Sequence, residues 1–407
     1  MIPFSPPRID DKVIDAVSEV LRSGWITTGP KTKLFEKQIT NYVDSKCTIA
    51  VNSWTMGMHV FLHWWGIGEG DEVIIPAYTY CATANTIIHA GAKPVMVDCD
   101  PSGFNLSIPA VREAITERTK AIVAVDIAGF PCSYNEINDL VKEEQIKAKF
   151  HAATDVQKKL GRIIVISDAA HSFGAQMNGK RTGSLTDVSI FSFHAVKNLT
   201  TAEGGAISFN LPDDFDHESI YRQFSAKILH GQSKDALAKT VNGNWRYDVE
   251  EPGFKCNMTD IQAAIGLVEL ERYQENLDRR KQIFEMYDRF FSNEYWADCP
   301  IHTTTDKTTS YHLYQLRIKG IDEEQRDLII QKITEKGVSV NVHFIPLPLL
   351  TAYRNRGFNM ENYPEAYAKF KNEVSLPVYY NLTNEEVQIV CQAVKEAVEH
   401  VLGRQNY

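Results

Sequence analysis

This 407-residue chain lacks paired cysteines, a long apolar run and a basic block, and each absence narrows what it can be. Its cysteines, at positions 47, 81, 99, 132, 256, 299 and 391, include no close pair with metal-ligand or redox spacing. Their odd number, and a start (Met1-Ile2-Pro3-Phe4-Ser5) without an apolar signal region, fit reduced thiols in a cytoplasmic protein. The longest apolar runs are strand-sized, so no span of a membrane is expected. No lysine- or arginine-rich block offsets the formal net charge of −9, which argues against nucleic-acid binding. There is no metal motif, no internal repeat and no low-complexity tract. The twelve histidines are scattered, and surface or core hydrogen bonding is the simplest role for each.

What is present is an ordinary globular composition, 43% hydrophobic and 23% charged, in a chain too long for one average core. Short apolar segments at residues 73–75, 94–97, 121–125 and 162–166 read as strands, with helical stretches between them. That alternation predicts an α/β fold whose mainly parallel central sheet is covered by helices on both faces. Residues 135–160, rich in Lys and Glu, read as a solvated helical insert. Thr259 and Gln262 form a capping box before an apolar stripe at Ile261, Ile265 and Val268, and this helix is expected to run to about Phe291. Strands near 311–318 and 338–342 and helices near 323–335 and 384–402 then predict a smaller α+β domain. Pro252 and Gly253 put the boundary near residue 250, giving a large unit with an N-terminal arm (1–250) and a small C-terminal unit (251–407).

One lysine stands out. The run Ser189-Ile190-Phe191-Ser192-Phe193-His194-Ala195-Val196-Lys197-Asn198 ends a strand in a polar turn, and Glu203-Gly204-Gly205 leads into a second apolar stretch. An ammonium between two buried strands is poorly solvated, so it pairs or loses its proton, and an unprotonated lysine adds to an aldehyde. Upstream, Ile163-Ile164-Val165-Ile166 delivers Asp168 at a strand end. Taken alone, the lysine is an ordinary solvated charge and the aspartate an ordinary helix cap. Together they suit pyridoxal 5'-phosphate, which takes a lysine at its aldehyde and a carboxylate at its pyridine nitrogen.

These segments resemble the DegT/DnrJ/StrS-type nucleotide-sugar aminotransferases. The likeness is carried by Asp168-Ala169-Ala170-His171-Ser172-Phe173-Gly174-Ala175, by the Lys197 run and by Glu203-Gly204-Gly205. It extends from Ser23-Gly24-Trp25-Ile26-Thr27-Thr28-Gly29-Pro30 through Asn257-Met258-Thr259-Asp260 to Val342-His343-Phe344-Ile345-Pro346. The resemblance implies a fold-type I pyridoxal-phosphate transferase, with glutamate or 2-oxoglutarate and a nucleotide sugar as reactants, acting as a homodimer. The turn at Lys197 and the loop running to Gly253 look most like the branch that aminates a UDP-4-keto-pentose, the UDP-4-amino-4-deoxy-L-arabinose–oxoglutarate aminotransferases. A related sugar dehydratase branch replaces the lysine by histidine, so Lys197 argues against it. A non-catalytic regulatory relative is a second alternative, and the intact set Asp168, His171, Ser192 and Lys197 argues against that.

Residue by residue, the resemblance makes Lys197 the covalent attachment point and proton carrier, and Asp168 the partner of the pyridine nitrogen. His171 lies against the cofactor, Tyr80 stacks on its face, and Ser192 with Thr55-Met56 forms the phosphate cup at a helix start, where backbone N–H groups favour a dianion. Trp54 stands where relatives have glycine. Lys255 stands where many relatives have an asparagine that reaches the neighbouring subunit's phosphate, and a lysine can serve there as a point charge. Thr27, Thr28 and His343 fall at substrate positions, and Trp245 and Tyr247 in the variable loop before Gly253.

Overall fold

The central strands are apolar at successive positions, so they can be stable only where both faces of the sheet are covered. The computed structural model describes residues 1–233 and 247–403. Its strands are β1 Cys47–Val51, β2 Glu72–Pro76, β3 Lys93–Val97, β4 Thr119–Val125, β5 Ile164–Asp168, β6 Gln176–Met177, β7 Lys180–Arg181, β8 Val188–Ser192, β9 Gly205–Phe209, β10 Ala297–Asp298, β11 Lys307–Thr308, β12 Tyr314–Ile318 and β13 Glu373–Leu376. Seven of them form the main sheet in the order β1-β9-β8-β5-β4-β2-β3. Pairs from β3 across to β8 are parallel, and β9 alone runs against its neighbours β8 and β1. Val73, Ile75, Val123 and Ile166 pack with the helix Trp54–Trp65 in one cluster. Their sequence neighbours Ile74, Ile122 and Val165 pack with Tyr134 and Ile137 in another. This is the doubly covered, mainly parallel sheet expected from the sequence.

A second layer is built on β12, which pairs antiparallel with β10 and β13. The helices Tyr273–Phe291, Glu323–Glu335 and Asn384–Gly403 cover it. They bury Ile283 and Tyr287, Ile329 and Ile333, and Val390, Val394 and Val398 respectively, each helix offering one apolar face. Among the described residues no helix is long and apolar enough to cross a membrane.

Three local expectations are corrected. The helix expected from Thr259 to Phe291 is two: Thr259 caps Asp260–Glu271 through the box with Gln262, but Arg272 departs to φ −106°, ψ 17° and a new helix starts at Tyr273. The buried Arg272 is hydrogen-bonded to Glu269 and Asp10, which holds the bend. Residues 135–160 are not a solvated insert. They form the short helices Tyr134–Leu140, Glu144–Lys147 and Asp155–Leu160, which bury Ile137, Leu140 and Ile146 against the sheet. Residues 338–342 are not a strand either: the segment crosses between neighbours, touching Ile2 through Val338 and Ser375 through Asn341 at single bridges.

Candidate active site

β5 ends on Asp168 and the adjacent β8 on Ser192, so both residues reach the carboxyl edge of the sheet, where open α/β sheets bind ligands. Lys197 lies in the β8–β9 connection, which is longer than the tight turn expected. Phe193 N–H donates to the Gly204 carbonyl at 2.9 Å, extending the hairpin, and Lys197 N–H closes a turn on the His194 carbonyl at 2.9 Å. A cavity of about 360 Å³, the size of a small-molecule site, brings together Lys197, Asp168, Ser192, Tyr80, His171, Thr55 and His343.

Asp168 is 4% exposed. Thr83 Oγ1 donates to its Oδ2 at 2.9 Å, and Ala170 N–H donates to its Oδ1 at 3.3 Å. Burial pushes the carboxyl up to about 7, against the pull of those two donors and of the Lys197 ammonium. Loss of solvent likewise brings Lys197 down to about 8, with Asp168 opposing. Among the described residues Lys197 Nζ makes no hydrogen bond or ion pair. The result is an amine far easier to deprotonate than an ordinary lysine, beside a buried carboxyl, and perturbed groups of this kind gather at functional sites. His171 is held well below its ordinary range by burial, with Lys197 adding to the effect. Its ring stacks on Phe344 at 5.6 Å and lies 4.4 Å from the His312 ring.

Another part of the cavity lining is a helix start. Ser53 caps Trp54–Trp65, its side chain accepting from Met56 N–H at 3.2 Å. Met56 is therefore engaged by the cap and does not line the cavity, contrary to the expected Thr55-Met56 cup. Trp54 and Thr55 border the cavity instead, and among the described residues neither backbone N–H donates a hydrogen bond. Trp54 is 6% exposed and belongs to the core cluster, so the exchange of glycine for tryptophan leaves the cap regular. Gly205 explains the close approach of this helix: a Cβ there would stand 2.7 Å from the Ser53 carbonyl carbon, the Trp54 nitrogen and the Phe191 oxygen.

Four expected residues stand apart from the cavity in this chain. Thr28 is buried and donates to the Met258 carbonyl at 2.6 Å, and Asn257 Nδ2 donates to Thr28 Oγ1 at 2.6 Å. The exposed Thr27 accepts Asp260 N–H at its carbonyl. Lys255 is exposed, and its Nζ donates to Asn257 Oδ1 at 2.5 Å. Tyr247 is exposed, and Trp245 lies outside the described residues. The structure also adds residues to the site. Thr83, His194, His312, Phe344 and Phe4 line the cavity from five separate segments, so four of the supposedly scattered histidines meet at one place. Only Thr83 had a usable signal, lying three residues after Tyr80 at the start of a helix.

These residues fit pyridoxal phosphate. Asp168 is buried on the cavity wall, His171 Nδ1 is buried without a hydrogen-bond partner among the described residues, and the open N–H groups of a helix start suit a phosphate. A lysine sharing a cavity with that helix start, on a sheet with one reversed strand, is carried here by a fold-type I pyridoxal-phosphate transferase, the fold that its family and structural neighbours have. More narrowly, the chain is a member of the DegT/DnrJ/EryC1/StrS aminotransferase family, whose profile matches residues 7–395. The Streptococcus pneumoniae protein Spr1654, named for a sugar aminotransferase and solved in its PMP form, superposes with a TM-score of 0.95 at 45% identity, over 98% of this chain and all of that one. Its PLP form gives 0.94 at 44% identity, over 98% and 99%. The spore coat polysaccharide biosynthesis protein SpsC of Bacillus subtilis is 34% identical over 98% of this chain and 97% of its own. The aminotransferase PseC of Helicobacter pylori, involved in pseudoaminic acid biosynthesis, matches at 26% identity and a TM-score of 0.84, over 98% and 100%. The protein is thus a pyridoxal-phosphate-dependent sugar aminotransferase.

Proposed function

We propose that the enzyme moves an amino group from glutamate to the ketone of a nucleotide-linked keto-deoxy sugar, with a UDP-4-keto-pentose as the first substrate to try. The observation that carries this reading is the half-buried amine of Lys197, which makes no hydrogen bond or ion pair among the described residues and lines one cavity with Asp168. Bound pyridoxal phosphate supplies an electron sink through which an amino group passes between two carbon skeletons. The chain does the rest. Lys197 Nζ carries the proton between the reacting carbons, as a base that loss of solvent brings down to about 8. Asp168 holds the proton of the pyridine nitrogen. Ser192 and the Trp54 and Thr55 N–H groups bind the phosphate, while Tyr80 and His171 confine the ring.

Each site is completed by a second copy of the chain. Support comes from the apolar side chains Ile14, Leu21 and Ile26, about half exposed on and beside the helix Asp11–Ser23. Lys255, Asn257, Thr27 and Thr28 cluster away from their own cavity, as residues serving a partner's site would. The cofactor-holding unit is residues 1–250 and the C-terminal unit 251–407, and a reducing cytoplasm suits the seven free cysteines. The test is direct: glutamate should convert the enzyme to its pyridoxamine form with release of 2-oxoglutarate, and the nucleotide-linked keto sugar should convert it back with appearance of an amino sugar. An enzyme that accepts amino groups from glutamate but passes them only to non-sugar ketones overturns the substrate reading.

A further inference from the structure

His343 reaches the cavity wall from the segment between the helix Glu323–Glu335 and β13, and its backbone is pinned on both sides. Its carbonyl accepts from Tyr78 Oη and Gln315 Nε2, both at 2.6 Å, and its N–H donates to Glu373 Oε2 at 3.0 Å. The ring stacks on Phe4 at 5.4 Å. Ring Nδ1 lies 2.9 Å from Ser375 Oγ, and Ser375 Oγ lies 2.5 Å from Glu373 Oε1. Glu373 and Ser375 are both fully buried in β13. Among the described residues, His343 Nε2 has no partner.

Ser375 has one hydroxyl proton and two neighbours that can take it. If the proton goes to an ionised Glu373, Ser375 accepts from Nδ1–H, and Nε2 is left as a bare acceptor. If Glu373 is protonated, its O–H donates to Ser375, Ser375 donates to Nδ1, and Nε2 carries the hydrogen. We propose that Glu373 and Ser375 are positioning residues that set which nitrogen of His343 is protonated, and so the sense of the hydrogen bond His343 offers the sugar. The inference rests on the sugar-substrate reading above.

Burial raises Glu373 to about 8, against donation from Ser375 and His343 N–H and the charge of Arg326. The donor form of His343 is therefore present below that pH and the acceptor form above it. His343 itself stays neutral, since burial and the charge of Lys197 bring it down to about 3. Among the described residues, Tyr78 near Glu373 and His171 and His312 near His343 are further titratable groups around the relay.

In histidine-labelled holoenzyme, the ¹⁵N shifts of His343 should pass from the Nε2–H to the Nδ1–H tautomer as pH rises through about 8. Glu373→Gln should abolish that change: the His343 N–H requires an acceptor, so the new carbonyl stays there and the amide faces Ser375 as a fixed donor. Ser375→Ala breaks the relay. It should lower kcat/KM for the keto sugar about tenfold while the glutamate half-reaction, followed by cofactor absorbance, is largely spared, and Ser375→Thr should restore it. Identical tautomers in wild type and Glu373→Gln at every pH overturn the relay, and equal losses in both half-reactions for Ser375→Ala overturn its role toward the sugar. A wild type that reacts with glutamate but with no nucleotide-linked sugar overturns the functional reading instead, while the tautomer measurement still decides the relay.

Discussion

Thr83 Oγ1 lies 2.9 Å from Oδ2 of Asp168, and both residues are buried. Among the described residues it is the one side-chain donor to that carboxyl, the group proposed to hold the proton of the pyridine nitrogen. Thr83→Val keeps the shape and removes the donor. A hydrogen bond to a charged group is worth about 1.5–3 kcal/mol, so the glutamate half-reaction should slow roughly tenfold to a hundredfold. Single-turnover absorbance would measure this, and an unchanged rate would make Thr83 a packing residue only.

The proposed attachment at Lys197 predicts both where the cofactor is bound and how its capture depends on pH. Borohydride reduction of the holoenzyme followed by peptide mapping should find the label on residue 197, and Lys197→Ala should carry none. Because the amine titrates near 8, capture of pyridoxal phosphate by the apo-protein should quicken as pH rises through that value and level off above it. A rate that goes on climbing about tenfold per pH unit through pH 9, without levelling, contradicts the lowered basicity.

Asp168 makes a stability prediction of definite sign. Its folded carboxyl titrates near 7 and its model value is 3.8, so the native state holds the proton more tightly. The associated stability is complete below the unfolded value and is lost as pH rises through about 7. At about pH 8.5, where Lys197 is largely neutral, apo Asp168→Asn should therefore exceed the wild type by roughly 3–4 kcal/mol, with the gap closing below about pH 4. Denaturant titration at the two pH values tests this. The same variant should bind cofactor yet lose most of its half-reaction rate.

The shared site is tested by mixing. Lys197→Ala and Lys255→Ala subunits, each impaired alone, should regain one intact site per heterodimer if Lys255 serves the partner's phosphate. An active protein that sediments as a monomer, or a mixture without recovery, removes the shared-site arrangement.

The sheet was legible in the sequence because its strands are continuous apolar runs separated by helical spacing; Asp168 was legible because it terminates such a run, and Lys197 because it lies in the polar connection that follows one. The histidines were not. His171, His194, His312 and His343 converge only through the order in which β5, β8 and the C-terminal layer come together, which no local pattern encodes. The bend at Arg272 was equally hidden. Helical periodicity continues across it, and the interactions that favour the break, with Asp10 and Glu269, include one from the far end of the chain. Met56 was misplaced because its motif shows a helix start but not which N–H groups the Ser53 cap consumes.

The reversed strand β9 has a consequence for the order of assembly. The helix start at Ser53 follows β1, Ser192 ends β8, and the two are joined only because β9 pairs with both. Residues some 140 positions apart must therefore find one another before the helix start and Ser192 line one cavity, a non-local contact that is slow to form. If these residues hold the phosphate as proposed, a growing chain gains its cofactor site only once Phe209 has been made and β9 has paired with β1. From then on, the ligand binds the paired sheet and not its precursors, so the availability of pyridoxal phosphate bears on how many chains reach the native state as well as on how fast they turn over.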